Sequence, residues 1–349
     1  MEEMKKYILG DVCSRLSSGK GISSEEVLES GPFPVIGGNG LRGYSLKSNF
    51  SGECGVIGRQ GAYCGNVRYF SGEAYMTEHA VVVVGNEMAD TRYLTYLLST
   101  MHLGNLSAQS AQPGLSVKTL AKQEIMLPSL SEQKRRASIL ASLEDKIALN
   151  NRINHNLEEQ ALALYKSWFE EDIEYSHWPT TTLSAFFNVI TGKKDANFST
   201  PDGQYPFFTC SQVPLRAPSY SFDGKAILMA GNGDFNVKRF IGRFEAYQRT
   251  YVLMPYEDKY LSFLFLLMKV HLGDITGGSR GSVIKFITKG NIADYSFRFP
   301  SYNIDDKLDV LNSFFAQIDE HVAEIEQLSS LRDQLIPKLI DGAFLSCHL

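Results

Sequence analysis

The chain has 349 residues, 44% hydrophobic and 21% charged, with a formal net charge of −5. That is long for one domain, comfortable for two, and ordinary for a soluble globular protein. No apolar run reaches the roughly 18–20 residues of a membrane span, and the start Met1-Glu2-Glu3-Met4-Lys5-Lys6 lacks the apolar core of a signal peptide. The cysteines Cys13, Cys54, Cys64, Cys210 and Cys347 are scattered without C-x-x-C spacing. They read as reduced thiols of a cytoplasmic protein and give no zinc site.

Taken in chain order, the first half is rich in short strands and turns, and the second half repeats it. Leu16-Ser17-Ser18-Gly19-Lys20 matches Val189-Ile190-Thr191-Gly192-Lys193, and Phe33-Pro34-Val35-Ile36 matches Tyr205-Pro206-Phe207-Phe208. The β-rich runs Gly55–Gly58 and Ala80–Val84 have partners at Ala226–Met229 and Thr250–Met254. Asn66-Val67-Arg68-Tyr69-Phe70 matches Asn236-Val237-Lys238-Arg239-Phe240, and Glu73-Ala74-Tyr75 matches Glu245-Ala246-Tyr247. Helical spacing predicts helices over Thr91–Met101 and Lys259–His271, with Tyr93–Leu97 matching Tyr260–Leu264. Pro128 matches Pro300, and the shared order at offsets between 167 and 173 marks a diverged duplication.

Each copy then ends in a long helical pattern. Ser131 is the expected N-cap of the first, with Glu132 and Gln133 in its first turn. Leu143, Ile147, Asn150, Asn154, Leu157, Ala161, Leu164 and Trp168 form a heptad seam with polar interruptions, as a coiled coil uses to fix register. Ile318, Val322, Ile325, Ser329, Arg332, Ile336, Leu339 and Ala343 repeat it at a constant offset of 175. Pro337 should kink the second helix late or end its regular part. About 25 helical residues at roughly 1.5 Å each span nearly 40 Å, comparable to the ~34 Å between DNA half-sites one turn apart. The reading is an α+β fold: two mixed α/β domains in repeat, joined by two long coiled-coil-like helices. The segments are residues 1–130 and 173–302 for the domains and 131–172 and 303–349 for the helices.

The charge divides along the same lines. Residues 131–174 carry a net of −3 and residues 303–349 a net of −6, leaving +4 on the rest. Arg216, Lys225, Lys238, Arg239, Arg243 and Arg249 outnumber Asp223, Asp234 and Glu245 between residues 216 and 249. Such local positive charge is what phosphate binding requires, whatever the sign of the whole chain.

Catalytic and cofactor motifs are sparse. Gly38-Asn39-Gly40-Leu41-Arg42-Gly43 fits G-x-G-x-x-G, but no helix pattern or βαβ unit surrounds it, and Thr209-Cys210-Ser211 replaces it in the second copy. It is expected to be a flexible loop. There is no phosphate loop, no H-E-x-x-H, no G-x-S-x-G, and neither a methyltransferase tetrapeptide nor a nuclease Pro-Asp/Glu-x-Lys pattern. His79 has no histidine opposite it in the repeat and reads as a loop histidine. No cofactor and no metal are expected.

The run Gln112-Pro113-Gly114-Leu115-Ser116, Leu127-Pro128-Ser129-Leu130-Ser131-Glu132-Gln133, and on through Leu143–Asn150 to Leu164–Phe169 resembles the DNA-specificity subunit of type I restriction–modification enzymes. A weaker second copy runs from Gly278-Ser279-Arg280-Gly281-Ser282 to Phe299-Pro300, where Asn303-Ile304-Asp305-Asp306 replaces the Glu-Gln pair. The resemblance implies a non-catalytic subunit whose two domains each read half of a split double-stranded DNA site. It also implies that the two mixed α/β domains are target-recognition domains in pseudo-twofold repeat, joined by two long antiparallel coiled-coil-like helices that set the gap and dock two methyltransferase subunits; restriction would further require translocating nuclease subunits. The residues expected to touch DNA are Arg42, Arg59, Gln60, Asn66, Arg68, Gln109 and Ser110 in the first copy. In the second they are Arg216, Asn232, Asn236, Lys238, Arg239, Arg243, Arg249, Ser279 and Arg280. Arg and Lys suit guanine edges, Asn and Gln adenine, and any of them can hold phosphate. Two other classes remain open: an enzyme with a fused methyltransferase or nuclease activity, and a helical scaffold that reads no sequence.

Overall fold

The computed structural model describes residues 4–107, 114–277 and 285–340. Its contacts divide the chain into two compact units, Met1–Leu149 with Glu324–Leu349, and Asn150–Ala323. In chain order the first unit holds β1 (Lys5–Ile8), β2 (Cys13–Ser18), β3 (Phe33–Gly37), β4 (Gly40–Ser45), β5 (Phe50–Gly58), β6 (Val67–Met76), β7 (Ala80–Gly85), α1 (Thr91–Thr100), α2 (Val117–Ala121) and β8 (Glu124–Leu127). Helix α3 (Leu130–Phe169) follows and contributes to both units. The second unit holds β9 (Thr180–Thr182), β10 (Phe187–Thr191), β11 (Tyr205–Phe208), β12 (Leu215–Ala217), β13 (Phe222–Ala230), β14 (Val237–Ala246), β15 (Thr250–Pro255), α4 (Leu261–Val270), α5 (Leu272–Thr276), α6 (Lys289–Ala293) and β16 (Ser296–Arg298). The described chain ends in α7 (Asp305–Ile340), also shared between the units.

The duplication is complete at the level of topology. The six-stranded sheets run β2-β7-β5-β6-β3-β4 and β10-β15-β13-β14-β11-β12, and the small sheets pair β1 with β8 and β9 with β16. Each strand of the first unit therefore occupies the place of the strand eight numbers later. Registers refine the alignment: Val35 lies beside Tyr75 while Phe207 lies beside Glu245. The structural counterpart of Glu245 is thus Tyr75. The match of Glu73-Ala74-Tyr75 with Glu245-Ala246-Tyr247 is out by two residues, a slip that leaves every side chain on the same face of the pleat.

Both sheets bend at the same point. Gly52 faces Gly72 across β5 and β6, with φ of +118° and +129°; Gly224 faces Gly242 across β13 and β14, with φ of +137° and +126°. A Cβ at Gly52 would meet nothing within 4 Å, so backbone conformation and not space requires the glycine there. The bend lets β6 leave the end of β5 at Val67 and return to it, since Ala80 just beyond the strand also pairs beside Gly58. Loops before and after β6 therefore meet at one end of the sheet.

Burial explains the continuous Val81-Val82-Val83-Val84 run. Val81 and Val83 pack with Tyr93, Leu94 and Leu97 of α1, while Val82 joins Cys54, Val56, Ala74 and Met76 on the other face. A strand covered on both sides has no polar face to alternate with. The second unit builds the equivalent core from aromatic rings, with Phe263 of α4 against Phe169 at 4.9 Å between ring centroids and against Tyr165 at 5.7 Å. The expected helices over Thr91–Met101 and Lys259–His271 correspond to α1 and α4. The Gly38–Gly43 segment is an ordered β3–β4 hairpin, not a flexible loop, since Gly37 pairs with Gly40.

The start of α3 is fastened by the residues that looked like a capping signal. The helix begins at Leu130, so capping falls to Ser129 and not Ser131: the Ser129 Oγ accepts the Glu132 N–H at 3.4 Å. Gln133 is buried and satisfied at both ends, its Oε1 accepting the Asp90 N–H at 2.9 Å and its Nε2 donating to the carbonyls of Met88 and Pro128, each at 3.0 Å. Glu132 accepts from Arg135 Nε at 2.7 Å and Arg136 Nε at 2.7 Å, and Arg136 donates onward to the Leu339 carbonyl of α7 at 2.8 Å. The first part of α3 thus lies beside the last part of α7. Lys146 further along α3 meets Glu324 at 3.4 Å, and in the second unit Asn154 meets His321 at 2.8 Å while Lys307 lies over the Phe169 ring, so in each unit the two helices run antiparallel.

The hydrogen bonds from Arg135, with Arg136 beside it, hold the Glu132 carboxyl down at about 2. A carboxylate whose folded pKa lies below its ordinary ~4.3 stabilises the fold above that value and loses this contribution as pH falls toward 2. Glu132→Gln should therefore cost ~1–2 kcal/mol at pH 7 and flatten the pH dependence of stability between about 4.5 and 2. Denaturant melts across that range check it; an unchanged acid slope would show that the cluster contributes nothing.

All eight seam positions of α3 are buried or half-buried, with Asn150 fully enclosed and Ala161 likewise. In α7 the seam holds except at Val322, which is 46% exposed while His321 turns inward to Asn154. Ala343 lies outside the described residues. Helix α7 continues three residues past Pro337, which sits in its last described turn.

Candidate nucleic-acid interface

One end of each six-stranded sheet collects loops from four strands, and identical backbone hydrogen bonds hold both collections. In the first unit the Gly58 N–H donates to the Asn66 carbonyl at 2.9 Å, Arg59 to His79 at 3.0 Å, Thr77 to Ile36 at 2.9 Å and Leu115 to Arg59 at 2.8 Å. In the second, Ala230 donates to Asn236 at 3.0 Å, Gly231 to Arg249 at 2.8 Å, Tyr247 to Phe208 at 2.9 Å and Ile287 to Gly231 at 3.1 Å. The isolated bridge between Gln60 and Gly114 recurs between Asn232 and Phe286. The side chains on this common frame differ: Arg59 stands where the second copy has Gly231, Gln60 where it has Asn232, Glu78-His79 where it has Gln248-Arg249, and Gly114 where it has Phe286.

In the first unit the frame brings together Arg59, Gln60, Asn66 and Arg68. Gln60, Asn66 and Arg68 are exposed and Arg59 is half-buried. The Arg68 guanidinium donates to the Asn39 carbonyl at 2.6 Å, which braces the β3–β4 turn. Arg42 lies exposed on β4, its Cδ against the Gly37 position. His79, set aside as a loop histidine, sits inside the cluster with its Nε2 3.0 Å from Glu78.

The second unit binds its candidates more tightly. Asn236 is buried and donates to the carbonyls of Cys210 and Asp234, both at 2.9 Å, while its Oδ1 accepts from Lys238 Nζ. Burial holds the Lys238 ammonium below its ordinary range. Asn232 takes the Cys210 thiol on its Oδ1 at 2.8 Å. Arg249 is exposed and, like Arg216 on β12, makes no ion pair among the described residues.

Two expected contacts are corrected. Arg239 points to α7, where its Nη1 meets both oxygens of Asp319 at 2.7 and 2.8 Å, its guanidinium lies over Phe315, and its side chain is only 9% exposed. A side chain so enclosed cannot reach a phosphate. Arg243 pairs with Asp223 at 3.1 Å at the other end of the β13–β14 ladder, away from the loops. Lys225 is likewise engaged, by Asp258 at 2.9 Å. Of the six cations in this stretch, Arg216 and Arg249 are the ones left without a described partner. Gln109, Ser110, Ser279 and Arg280 lie outside the described residues.

Sequence reasoning missed Asn39, Cys210, Gln248 and Phe286. A signal for Gln248 was present: Glu78-His79 and Gln248-Arg249 each stand directly before the strands Ala80–Gly85 and Thr250–Pro255. A shallow cavity of about 380 Å³ opens at this end of the second unit, with Gly231, Tyr251 and Ile287 at its base and Asn232, Gln248, Arg249 and Phe286 around it. Among the described residues no group of His, Cys, Asp and Glu is arranged to hold a metal, and no helix is long and apolar enough to cross a membrane.

The relatives agree with the duplicated frame. The family model of the type I restriction modification DNA specificity domain matches residues 1–159 and again 175–330. The chain is 42% identical over 158 residues to the type I restriction enzyme EcoDI specificity subunit of Escherichia coli, covering 44% of this chain and 35% of that protein. It is 39% identical over 142 residues to the EcoprrI specificity subunit of Escherichia coli, covering 40% and 35%. The aligned part thus spans about a third of the length of these curated relatives. The crystal structure of the type I restriction–modification S subunit from M. genitalium superposes with a TM-score of 0.64 at 16% identity, over 97% of this chain and 96% of that one, and so shares the fold. Matched once in each copy and over most of its length, the chain belongs to the family of type I restriction modification DNA specificity domains.

Proposed function

We propose that this protein is the sequence-reading subunit of a type I restriction–modification complex. Residues 1–130 and 173–302 each read one half of a bipartite, asymmetric double-stranded DNA site, and the helices of residues 131–172 and 303–349 set the gap and dock two methyltransferase subunits. The chain itself supplies no catalytic residue, and restriction engages separate translocating subunits. It works in the cytoplasm, where the DNA is.

The observation that carries this reading is the common backbone frame with unlike side chains at matching loop positions. Two copies of one scaffold presenting Gln60 and His79 on one side and Asn232 and Arg249 on the other offer different hydrogen-bond patterns to two base sequences. A scaffold that merely assembled partners would have no use for exposed Arg, Gln and Asn gathered at these strand ends. Methylation mapping of the host genome, with the gene deleted and then restored, is the direct test. One split motif should lose methylation on deletion and regain it on restoration. If no motif depends on the gene, the reading is wrong.

A further inference from the structure

We infer that the cavity of the second unit reads a single G·C base pair, with Arg249 addressing the guanine edge and Gln248 the paired cytosine. This rests on the DNA-reading role proposed above and names the base that one part of it takes. The cavity lies where the side chains of the two copies differ. At its base, a Cβ on Gly231 would stand 2.5 Å from the Arg249 carbonyl and 2.9 Å from Tyr251 Cε2, so no side chain can fill the space. The first copy has Arg59 at that position and Val81 in place of Tyr251. Tyr251 is itself fixed, its hydroxyl donating to the Ile287 carbonyl at 2.7 Å.

The polar groups around the cavity are oriented by their neighbours. Asp195 Oδ1 takes the Gln248 Nε2 at 2.7 Å, which leaves Gln248 Oε1 as an acceptor. The Cys210 thiol occupies Asn232 Oδ1 at 2.8 Å, which leaves the Asn232 Nδ2 as a donor. Arg249 has its guanidinium fork unengaged among the described residues. The set presented is therefore donors from Arg249 and Asn232 beside one acceptor from Gln248. In the major groove a G·C pair shows two acceptors, N7 and O6, followed by the cytosine N4 donor, which is the complement of that set. An A·T pair would place the adenine amino group against the guanidinium, donor against donor. Phe286, 43% exposed at the mouth, supplies an apolar flank that keeps water from these hydrogen bonds.

The test uses the full chain assembled with its methyltransferase subunits and duplexes that vary each base pair of the recognised site. In the wild-type complex, one G·C pair in the half read by the second unit should be preferred over A·T by about 10-fold or more. Placing 7-deazaguanine there, which lacks the N7 acceptor, should weaken binding by several-fold. Arg249→Lys keeps the charge and loses the fork, so discrimination at that pair should fall below about 3-fold while affinity for unrelated DNA stays within about twofold. Asp195→Ala frees the Gln248 amide to rotate and should relax the same position without touching the other half-site. Retained discrimination in Arg249→Ala, which leaves no donor for the guanine edge, would mean a phosphate contact only and would overturn the inference while leaving the DNA-reading role intact. A complex that prefers no duplex sequence at all would overturn both.

Discussion

Replacing Arg59 and Arg249 together with glutamate should lower the affinity of the assembled complex for its DNA site by about 100-fold or more. Each is a cation at the matched strand-end frame of its copy and has no ion-pair partner among the described residues. Well-placed arginine contacts to bases contribute ~1–3 kcal/mol each, and reversing the charge adds repulsion from the phosphates. Folding should be spared, because Arg249 is exposed and the hydrogen bonds of Arg59 to the frame among the described residues come from its backbone. Arg243→Glu is the control for either single replacement: it alters the net charge by the same two units but sits with Asp223 at the far end of its ladder, and its effect should stay within about 3-fold. Titrations at two salt concentrations, followed by gel shift or anisotropy, separate these outcomes. A loss in Arg243→Glu equal to that of Arg59→Glu or Arg249→Glu alone would mean that only overall charge matters.

Asp319→Ala should destabilise the second unit by about 3 kcal/mol, more than the reverse truncation Arg239→Met. Asp319 is 41% exposed in its side chain and Arg239 only 9%, so removing the aspartate strands an enclosed guanidinium, whereas methionine fills the arginine's place without charge. Replacing both partners by apolar residues of similar volume should recover most of the loss. Chemical denaturation of the three variants checks the order, and a cost for Asp319→Ala below 1 kcal/mol would show that the pair is not coupled to folding.

That ion pair also explains how much of the molecule could be read from its sequence. The carboxylates Glu144 and Asp319 occupy equivalent places in the two helices, at the offset of 175 that the seams share. Each is held by an arginine of its own unit, but from different elements. In the first unit Arg92 of α1 reaches Glu144 at 3.1 Å and lies over Tyr69 at 4.6 Å, with Tyr96 donating to Glu144 at 2.6 Å. In the second unit the arginine is Arg239 itself, at the strand position where the first copy has Tyr69. Periodicity exposed the seam and the duplication, because both are local patterns repeated along the chain. It could not show that a basic residue in a positive stretch was spoken for by an aspartate 80 residues away. The same limit applies to the Glu73 match, which chance similarity drew two residues off register while the bend at Gly72 and Gly242 fixed the true one.

The strand-end loops were legible in kind but not in membership. Arg59, Gln60, Asn232 and Arg249 carried the signal of exposed polar residues beside Gly-rich turns. Gln248 and Phe286 did not, since only the fold brings the β14–β15 turn against the chain entering α6. Buried Asn236 looked like its exposed counterpart Asn66 because the sequence around both is nearly the same.

On the proposed function, the two copies read different halves of one DNA site. Methylome sequencing of hosts that carry single-copy variants tests it most directly, with Gln60→Ala in one strain and Arg249→Lys in another. The methylated motif should be relaxed on one side of its gap in the first strain and on the opposite side in the second. Relaxation on the same side in both strains would contradict it, as would an unchanged motif in both.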